Sequence, residues 1–171
     1  LLTTFLATLF LHLEFAIYAG VLLSLVIYLN RTSRPPMEDV KPVLEGGHWR
    51  LSNQSGLPDC PQFKILRVDG SLFFGAVDHV QQALLAVDHK TPGQKHLLLN
   101  CPGVNFIDMA GAHMLAQEAG RRARLGGSLV LCGLKDGPMS SLSDSHLRGA
   151  FSANDLLPVG APDPVGHSFQ R

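Results

Sequence analysis

Asp108 is the side chain whose position in this sequence most clearly predicts a chemical role. It follows a short apolar run at residues 96–101 and a Pro-Gly turn, and a helical pattern begins immediately after it. A carboxylate in that position accepts hydrogen bonds from the unpaired N–H groups of the first helical turn, and it suits the positive end of the helix. We therefore predict that Asp108 is a helix N-cap. A helix N-terminus can also bind an anionic ligand, but a carboxylate already in place argues against one.

The other reactive residue types are dispersed along the chain. Cys60, Cys101 and Cys132 form no Cys-x-x-Cys motif, and we expect them to be small buried hydrophobic residues of a reducing compartment. The eight histidines show no metal-ligand spacing, no nucleophile has a base beside it in sequence, and no glycine-rich phosphate loop occurs. The sequence therefore predicts no enzyme activity, no metal and no cofactor. With 14 basic and 14 acidic residues, its net charge of zero also gives no electrostatic case for nucleic acid.

A strand–helix–strand unit is predicted to position Asp108. The apolar run at residues 96–101 is typical of a strand buried on both faces, as in a parallel sheet, and residues 128–133 form the next strand. In the helix between them, Glu118 is spaced to pair with Arg122. The face predicted to lie on the sheet is a narrow stripe of small and apolar residues: Met109, Ala112, Ala116, Ala119 and Ala123.

The flanking segments extend this pattern. We predict an edge strand at residues 48–51 and a hairpin of strands 63–68 and 72–74, joined by the Asp69-Gly70 turn. An amphipathic helix at residues 76–88 would then present Val77, Val80, Leu84 and Val87 on one face. After a loop at residues 135–138, we predict a short helix within residues 139–150 in which Leu142 and Leu147 point inward.

Residues 1–29 are apolar almost throughout, with interruptions at His12 and Glu14. One straight helix of that length would span about 43 Å, more than the roughly 30 Å of a bilayer core. We therefore expect a turn near His12 and two membrane segments, the second at residues 15–29. A signal peptide would need a basic leader and a small-x-small cleavage site, which the sequence lacks. A buried soluble helix is disfavoured because so few polar residues interrupt the run.

Basic residues follow this apolar segment directly. Arg31 and Arg34 place the rest of the chain in the cytoplasm by the positive-inside rule. Glu14 would then lie toward the opposite side, either as a functional intramembrane carboxylate or as a wetted group at a hairpin. We predict four segments, namely transmembrane residues 1–30, a linker at 31–47, a cytosolic domain at 48–150 and a poorly structured tail at 151–171.

Three stretches together resemble one protein family. They are LEFAIYAGVLLSLVIYLNRTSRP, ILRVDGSLFFGAVDHV and LLLNCPGVNFIDMAGAHML. In this order and spacing, residues 1–135 resemble the C-terminal part of sulfate permease (SulP) family anion transporters. The cytosolic part is similar to the STAS domain, named for sulfate transporters and anti-sigma factor antagonists. The resemblance implies an α/β fold, a mixed sheet with helices of the anti-sigma factor antagonist type, preceded by a transmembrane helical segment.

The resemblance also implies a function. The chain would be the C-terminal fragment of a secondary active anion transporter of the sulfate, bicarbonate or dicarboxylate type, and its STAS domain a regulatory and interaction module. The anion-binding residues would lie upstream of Leu1. The implied partners are the rest of the membrane domain, membrane lipid, a second copy in a homodimer and an unidentified cytosolic regulatory protein. The implied location is the plasma (inner) membrane, with the STAS domain in the cytoplasm.

One motif departs from the family pattern. Anti-sigma factor antagonists carry Asp-Ser-Ser-Gly, or a close variant, where this chain has Asp108, Met109, Ala110 and Gly111. In those proteins a partner kinase phosphorylates the first serine, but neither Met109 nor Ala110 can accept a phosphate. The resemblance thus implies a regulatory loop without its switch. A membrane-tethered partner-switching module of the anti-sigma antagonist kind remains the alternative.

Overall fold

The computed structural model describes residues 1–10, 13–45, 48–54, 56, 57, 59–143, 147, 149–152 and 155–159. The chain divides into two compact units, residues 1–34 and residues 35–171. The first unit is helical and apolar, whereas every strand among the described residues belongs to the second. The division falls close to the predicted boundary between membrane segment and linker.

The first unit consists of helices α1 (Leu2–Phe10) and α2 (Leu13–Thr32). Small residues let the two helices approach, because Ala16 is buried and a side chain at Gly20 would contact Thr4. Helix α1 ends at Phe10 and α2 begins at Leu13; the turn predicted near His12 lies outside the described residues. Helix α2 is longer than predicted, and its residues Glu14–Thr32 are apolar and long enough to cross a bilayer.

The second unit contains seven described strands: β1 (Met37–Asp39), β2 (Lys41–Glu45), β3 (His48–Ser52), β4 (Phe63–Val68), β5 (His96–Asn100), β6 (Leu129–Leu134) and β7 (Leu156–Pro158). Five of them form one sheet in the order β1-β4-β5-β6-β7. Strand β1 is antiparallel to β4, and the other neighbours are parallel. A separate hairpin pairs β2 with β3.

The central strands are buried on both faces, as their unbroken apolar runs predict. One face carries Leu66, Val68, Leu97, Leu99, Leu129 and Leu131, which join the main core beneath the helices. The alternate residues of the same strands form a smaller cluster that also contains Val40. Its other members are Ile65, Leu98, Val130 and Cys132, with Leu51, Phe63 and Leu157 packed against it. This double burial fixes the register of the sheet, because a slip of one residue would exchange the two faces.

Three helices cover the main core: α3 (Phe74–Lys90), α4 (Met109–Arg124) and α5 (Asp136–Leu142). The predicted face of α3 is confirmed, with Val80 and Leu84 buried and Val77 and Val87 packed against the core. The stripe predicted for α4 is wrong at its ends, because Met109 and Ala123 are exposed. The buried face of α4 is instead formed by Gly111, Ala112, Met114, Leu115, Glu118, Ala119 and Arg122.

Several predicted loops and strands require correction. The linker predicted at residues 31–47 contains β1 and β2, so the α/β unit begins at Pro35. The predicted hairpin partner at residues 72–74 is not a strand, because Leu72 makes only an isolated parallel bridge to Ile107 and α3 begins at Phe74. The edge strand predicted at residues 48–51 is present, but it pairs with β2 outside the main sheet.

The C-terminal part is also more regular than its sequence indicates. The loop predicted at residues 135–138 is largely the first turn of α5, where Pro138 is tolerated because an N–H there needs no helical partner. Leu142 and Leu147 are buried, as predicted. The tail predicted at residues 151–171 contains β7, which pairs with β6, while residues 160–171 lie outside the described residues.

A charged network joins the C-terminal ends of α3 and α4. The guanidinium of Arg122, only 1% exposed, donates to Glu118 Oε1 at 2.7 Å and to Asp88 Oδ1 at 2.9 Å. It also donates to the carbonyl oxygen of Lys95 at 3.2 Å. Arg121 contacts the same two carboxylates, and its hydrogen bond to Glu118 raises the pKa of its guanidinium. The predicted Glu118–Arg122 pair is therefore confirmed as part of a larger cluster.

Candidate functional site

The carboxylate of Asp108 caps two helices at once. Its Oδ1 accepts a hydrogen bond from the N–H of Gly111 at 2.8 Å, which confirms the predicted N-cap of α4. Its Oδ2 accepts from the N–H of Phe74 at 2.9 Å, the first residue of α3. The residue preceding α3 is Phe73, which has no side-chain cap of its own. One carboxylate thus satisfies orphan donors of both helices and lies at the positive end of each.

Close backbone contacts hold this loop in place. The N–H of Asp108 donates to the carbonyl oxygen of Leu72 at 3.0 Å, and the N–H of Leu72 donates to the carbonyl oxygen of Phe106 at 2.9 Å. A side chain at Gly111 would collide with the carbonyl group of Leu72, so only glycine allows α4 to start this close to the β4–α3 connection. Gly111 therefore permits the close packing of α4 against this connection.

The two remaining residues of the predicted loop point outward. Met109 and Ala110 are both exposed at the start of α4. Their positions match an accessible site for modification, but neither side chain carries a hydroxyl group. The structure thus brings the four predicted residues together and adds Phe74, which the sequence interpretation missed. A sequence clue to this contact did exist: α3 begins directly after Phe73, whose side chain cannot cap a helix, so the cap had to come from elsewhere in the chain.

Glu14 belongs to the helical unit. It lies in the first turn of α2, and its side chain is exposed. A carboxylate in the first turn is stabilised by the positive end of the helix.

All three cysteines are free thiols. The prediction that they are buried is confirmed for Cys101 and Cys132, which pack in the two core clusters, but it is wrong for Cys60, which is only partly buried. Burial raises the pKa of Cys132 to about 12, and burial together with nearby Cys132 and Asp69 raises the pKa of Cys101 further. Both buried thiols are therefore protonated at neutral pH, and a protonated thiol is a poor nucleophile. Within the described ranges, no group of three or more His, Cys, Asp or Glu residues could hold a metal ion.

A groove of about 720 Å³ is lined by residues of α3 and α4 and by Leu147, Gly149 and Ala150, and Asp108 is not among its described lining residues. Its described lining includes His113, which bonds to Gln117, and Arg124, but it contains no serine, threonine, cysteine or lysine. Of the residue types that act as nucleophiles, the described lining has His113 and Glu118, and Glu118 is held by hydrogen bonds from Arg121 and Arg122.

Comparisons with known proteins agree with this fold. A family model described as the STAS domain matches residues 56–154. YvdB of Bacillus subtilis (strain 168), which is named as a sulfate transporter, is 28% identical over 156 residues. The match covers 88% of this chain but 26% of YvdB, so the chain spans about a quarter of that relative.

Comparison with solved structures also finds proteins of the same fold. The structure of SLC26A9 covers 99% of this chain at a TM-score of 0.77 and 17% identity, and the chain covers 30% of it. The murine Slc26a9 anion transporter in the inward-facing state matches equally well, at 19% identity and 28% coverage of its chain. A sulfate transporter family protein from Wolinella succinogenes matches 63% of this chain and 85% of its own, with a TM-score of 0.52 and 22% identity. At these identities the likeness establishes the fold.

Proposed function

The chain belongs to the STAS domain family, and from this premise we propose that it is the C-terminal part of a secondary active anion transporter of the SulP type. Its STAS domain acts as a regulatory and interaction module on the cytoplasmic side of the plasma (inner) membrane. The transported ion is an anion of the sulfate, bicarbonate or dicarboxylate class, and the anion-binding residues belong to the part that precedes Leu1. The STAS domain itself catalyses no reaction.

One observation carries this proposal. The likeness to SLC26A9 extends over 99% of the chain, so it includes the apolar helices as well as the STAS domain. The exposed apolar side chains of α2 support a membrane position, since a bilayer would cover them. Arg31 and Arg34 follow immediately, which supports a cytoplasmic location for the second unit.

A partner-switching module of the anti-sigma antagonist kind is the second candidate. It requires a hydroxyl group at the start of α4, where phosphorylation would place a charge of about −2 beside the partner surface. Met109 and Ala110 stand at those positions, and both are exposed. The fold is therefore compatible with partner binding. Because neither residue has a hydroxyl group, phosphorylation of this loop would not control that binding.

The test is anion uptake into vesicles by the complete transporter and by a version that ends after Arg34. We expect removal of the STAS domain to lower either uptake or the amount of transporter in the membrane. Typical allosteric coupling energies of about 1–3 kcal/mol correspond to changes of roughly 5-fold to 150-fold in an equilibrium. Unchanged uptake and unchanged abundance would remove the regulatory role.

A Met109→Ser variant is the control for phosphorylation at the start of α4. It restores a hydroxyl group at an exposed position with little effect on packing, so we expect uptake near the level of the unmodified transporter. A large loss of uptake in the absence of any phosphorylation would show that Met109 itself makes an essential contact.

A further inference from the structure

A cavity of about 440 Å³ lies between the C-terminal half of α3 and the strands β1 and β4, on the side of the sheet that the helices cover. The apolar part of its described lining is formed by Met37, Leu66, Ala83, Ala86 and Val87. The polar part is formed by Asp39, Asp59, Lys64, Lys90 and Thr91. Small-molecule sites in proteins typically have volumes of about 300–1,000 Å³ and mostly apolar walls with a few polar groups. The cavity therefore has the size and the lining of a small-molecule site.

Small side chains on α3 create this space. Val80 and Leu84 on the buried face of α3 pack in the main core with the side chains of β4 and β5. Toward β1, however, α3 presents the small side chains of Ala83 and Ala86. Strand β1 has only three residues and forms the edge of the sheet, and α3 is the one helix in the described lining. Small side chains above a short edge strand thus leave room for the apolar part of a ligand.

Lys64 supplies a buried ammonium group to the polar part of the cavity. The residue is only 8% exposed, its Nζ donates a hydrogen bond to Asp39 Oδ2, and the distance from Nζ to Asp59 Oδ1 is 3.9 Å. An ammonium group has three N–H donors, and within the described residues the bond to Asp39 is its one hydrogen bond. A buried donor without an acceptor is unfavourable. An oxygen atom of a ligand in the cavity would accept from the remaining donors of Lys64.

The charges around the cavity favour an anion. Lys41 pairs with Asp59 at 3.1 Å, and Lys64 pairs with Asp39. Lys90, the last residue of α3, also lines the cavity, and no ion pair joins it to another residue in the described part of the chain. Three ammonium groups therefore stand against two carboxylates, which leaves one positive charge. The carboxylate of a ligand would neutralise this charge, and its two oxygens are strong acceptors for ammonium donors.

We propose that this cavity binds an amphiphilic monocarboxylate of the fatty-acid type. The aliphatic tail lies against Leu66, Ala83 and Val87, while the carboxylate accepts hydrogen bonds from Lys64 and is attracted by the charge of Lys90. Burial of each methylene group of the tail strengthens binding about fourfold. The site belongs to the α/β unit and goes beyond the proposed transport, so it does not depend on the identity of the transported anion.

Photoaffinity labelling of the full chain in membranes tests this proposal. The probe is decanoic acid that carries a diazirine group near the end of its tail. After irradiation, mass spectrometry locates the label in the peptides of the chain, and the dependence of labelling on probe concentration gives an apparent Kd. Decanoate and decanol, which have the same tail, are added in excess to separate samples as competitors.

The expected label lies on the cavity wall, at Met37 or within residues 83–87, and it saturates as the probe concentration rises. Decanoate should displace the probe, whereas decanol should compete roughly tenfold more weakly because it has no charged acceptor for the lysines. Lys90→Gln should raise the apparent Kd severalfold. Lys95 provides the matched control, since it is an exposed lysine outside the described lining, and Lys95→Gln should leave the apparent Kd unchanged.

Three results would each overturn the proposal. The first is a label found only outside the cavity wall, as on the apolar helices α1 and α2. The second is competition by decanol that equals competition by decanoate. The third is an apparent Kd that is the same for Lys90→Gln and Lys95→Gln, because the charge of Lys90 would then have no part in binding.

Discussion

Replacement of Asp108 by alanine is expected to lower the free energy of unfolding of the α/β unit by about 2 kcal/mol. Loss of one N-cap side chain commonly costs about 1 kcal/mol, and Asp108 caps both α3 and α4. The substitution would leave the N–H groups of Phe74 and Gly111 without their acceptor. Urea titration of a fragment of residues 35–171 measures this change.

Asparagine at position 108 should be intermediate. Its side chain has one acceptor oxygen, whereas the carboxylate uses both of its oxygens. Asp108→Asn can therefore cap one helix only, and we expect about half the loss seen with alanine. The exposed Asp78, which lies within α3, provides the control, and Asp78→Ala should change stability by less than about 0.5 kcal/mol. Equal stabilities of the asparagine variant and the unmodified protein would contradict the double cap.

Replacement of Arg122 by methionine should cost more, about 3 kcal/mol. Methionine keeps much of the apolar stem but removes a guanidinium that bonds to Glu118, Asp88 and the Lys95 carbonyl group. Removal of one partner from a buried ion pair typically costs 3–5 kcal/mol, because the other charge stays buried. We expect the lower end of that range, since Arg121 still contacts both carboxylates.

Arg124 offers a matched control on the same helix. Its side chain is exposed two residues further along α4, and an exposed charge adds little to stability. The Arg124→Met variant should therefore have nearly the same urea midpoint of unfolding as the unmodified protein. Similar losses of unfolding free energy for Arg122→Met and Arg124→Met would mean that the charged network around Arg122 does not stabilise the fold. The midpoint and slope of the same titration supply the comparison.

The sequence predicted the elements that depend on neighbouring residues, such as a strand or a helix cap. Strand β4 was predicted with its observed bounds, and the cap at Asp108 followed from one carboxylate placed before a helical pattern. The second cap was missed because Phe74 and Asp108 are 34 residues apart, and no local pattern reports such a contact. Strands β1 and β7 have three residues each, which is too few for alternation to be recognised.

The predicted stripe on α4 failed for a different reason. Small residues at helical spacing indicated one face, whereas a buried ion pair shifted the true face toward Glu118 and Arg122. Charged residues in a helix are normally assigned to the solvent side, since they are seldom buried unless paired. The pairing itself was predicted, but its burial depended on Asp88 in α3, which the spacing within α4 does not reveal.

The most direct test of the whole account is whether the first unit anchors the STAS domain in a membrane. The full chain is expressed in cells, and one portion of the membranes is washed with carbonate at high pH, while protease is added to the cytoplasmic side of a second, unwashed portion. We predict that the full chain stays in the membrane until detergent is added and that protease removes the STAS domain, while the fragment of residues 35–171 is soluble. A full chain that is soluble and monomeric without detergent, or a STAS domain that the membrane protects from protease, would contradict the account.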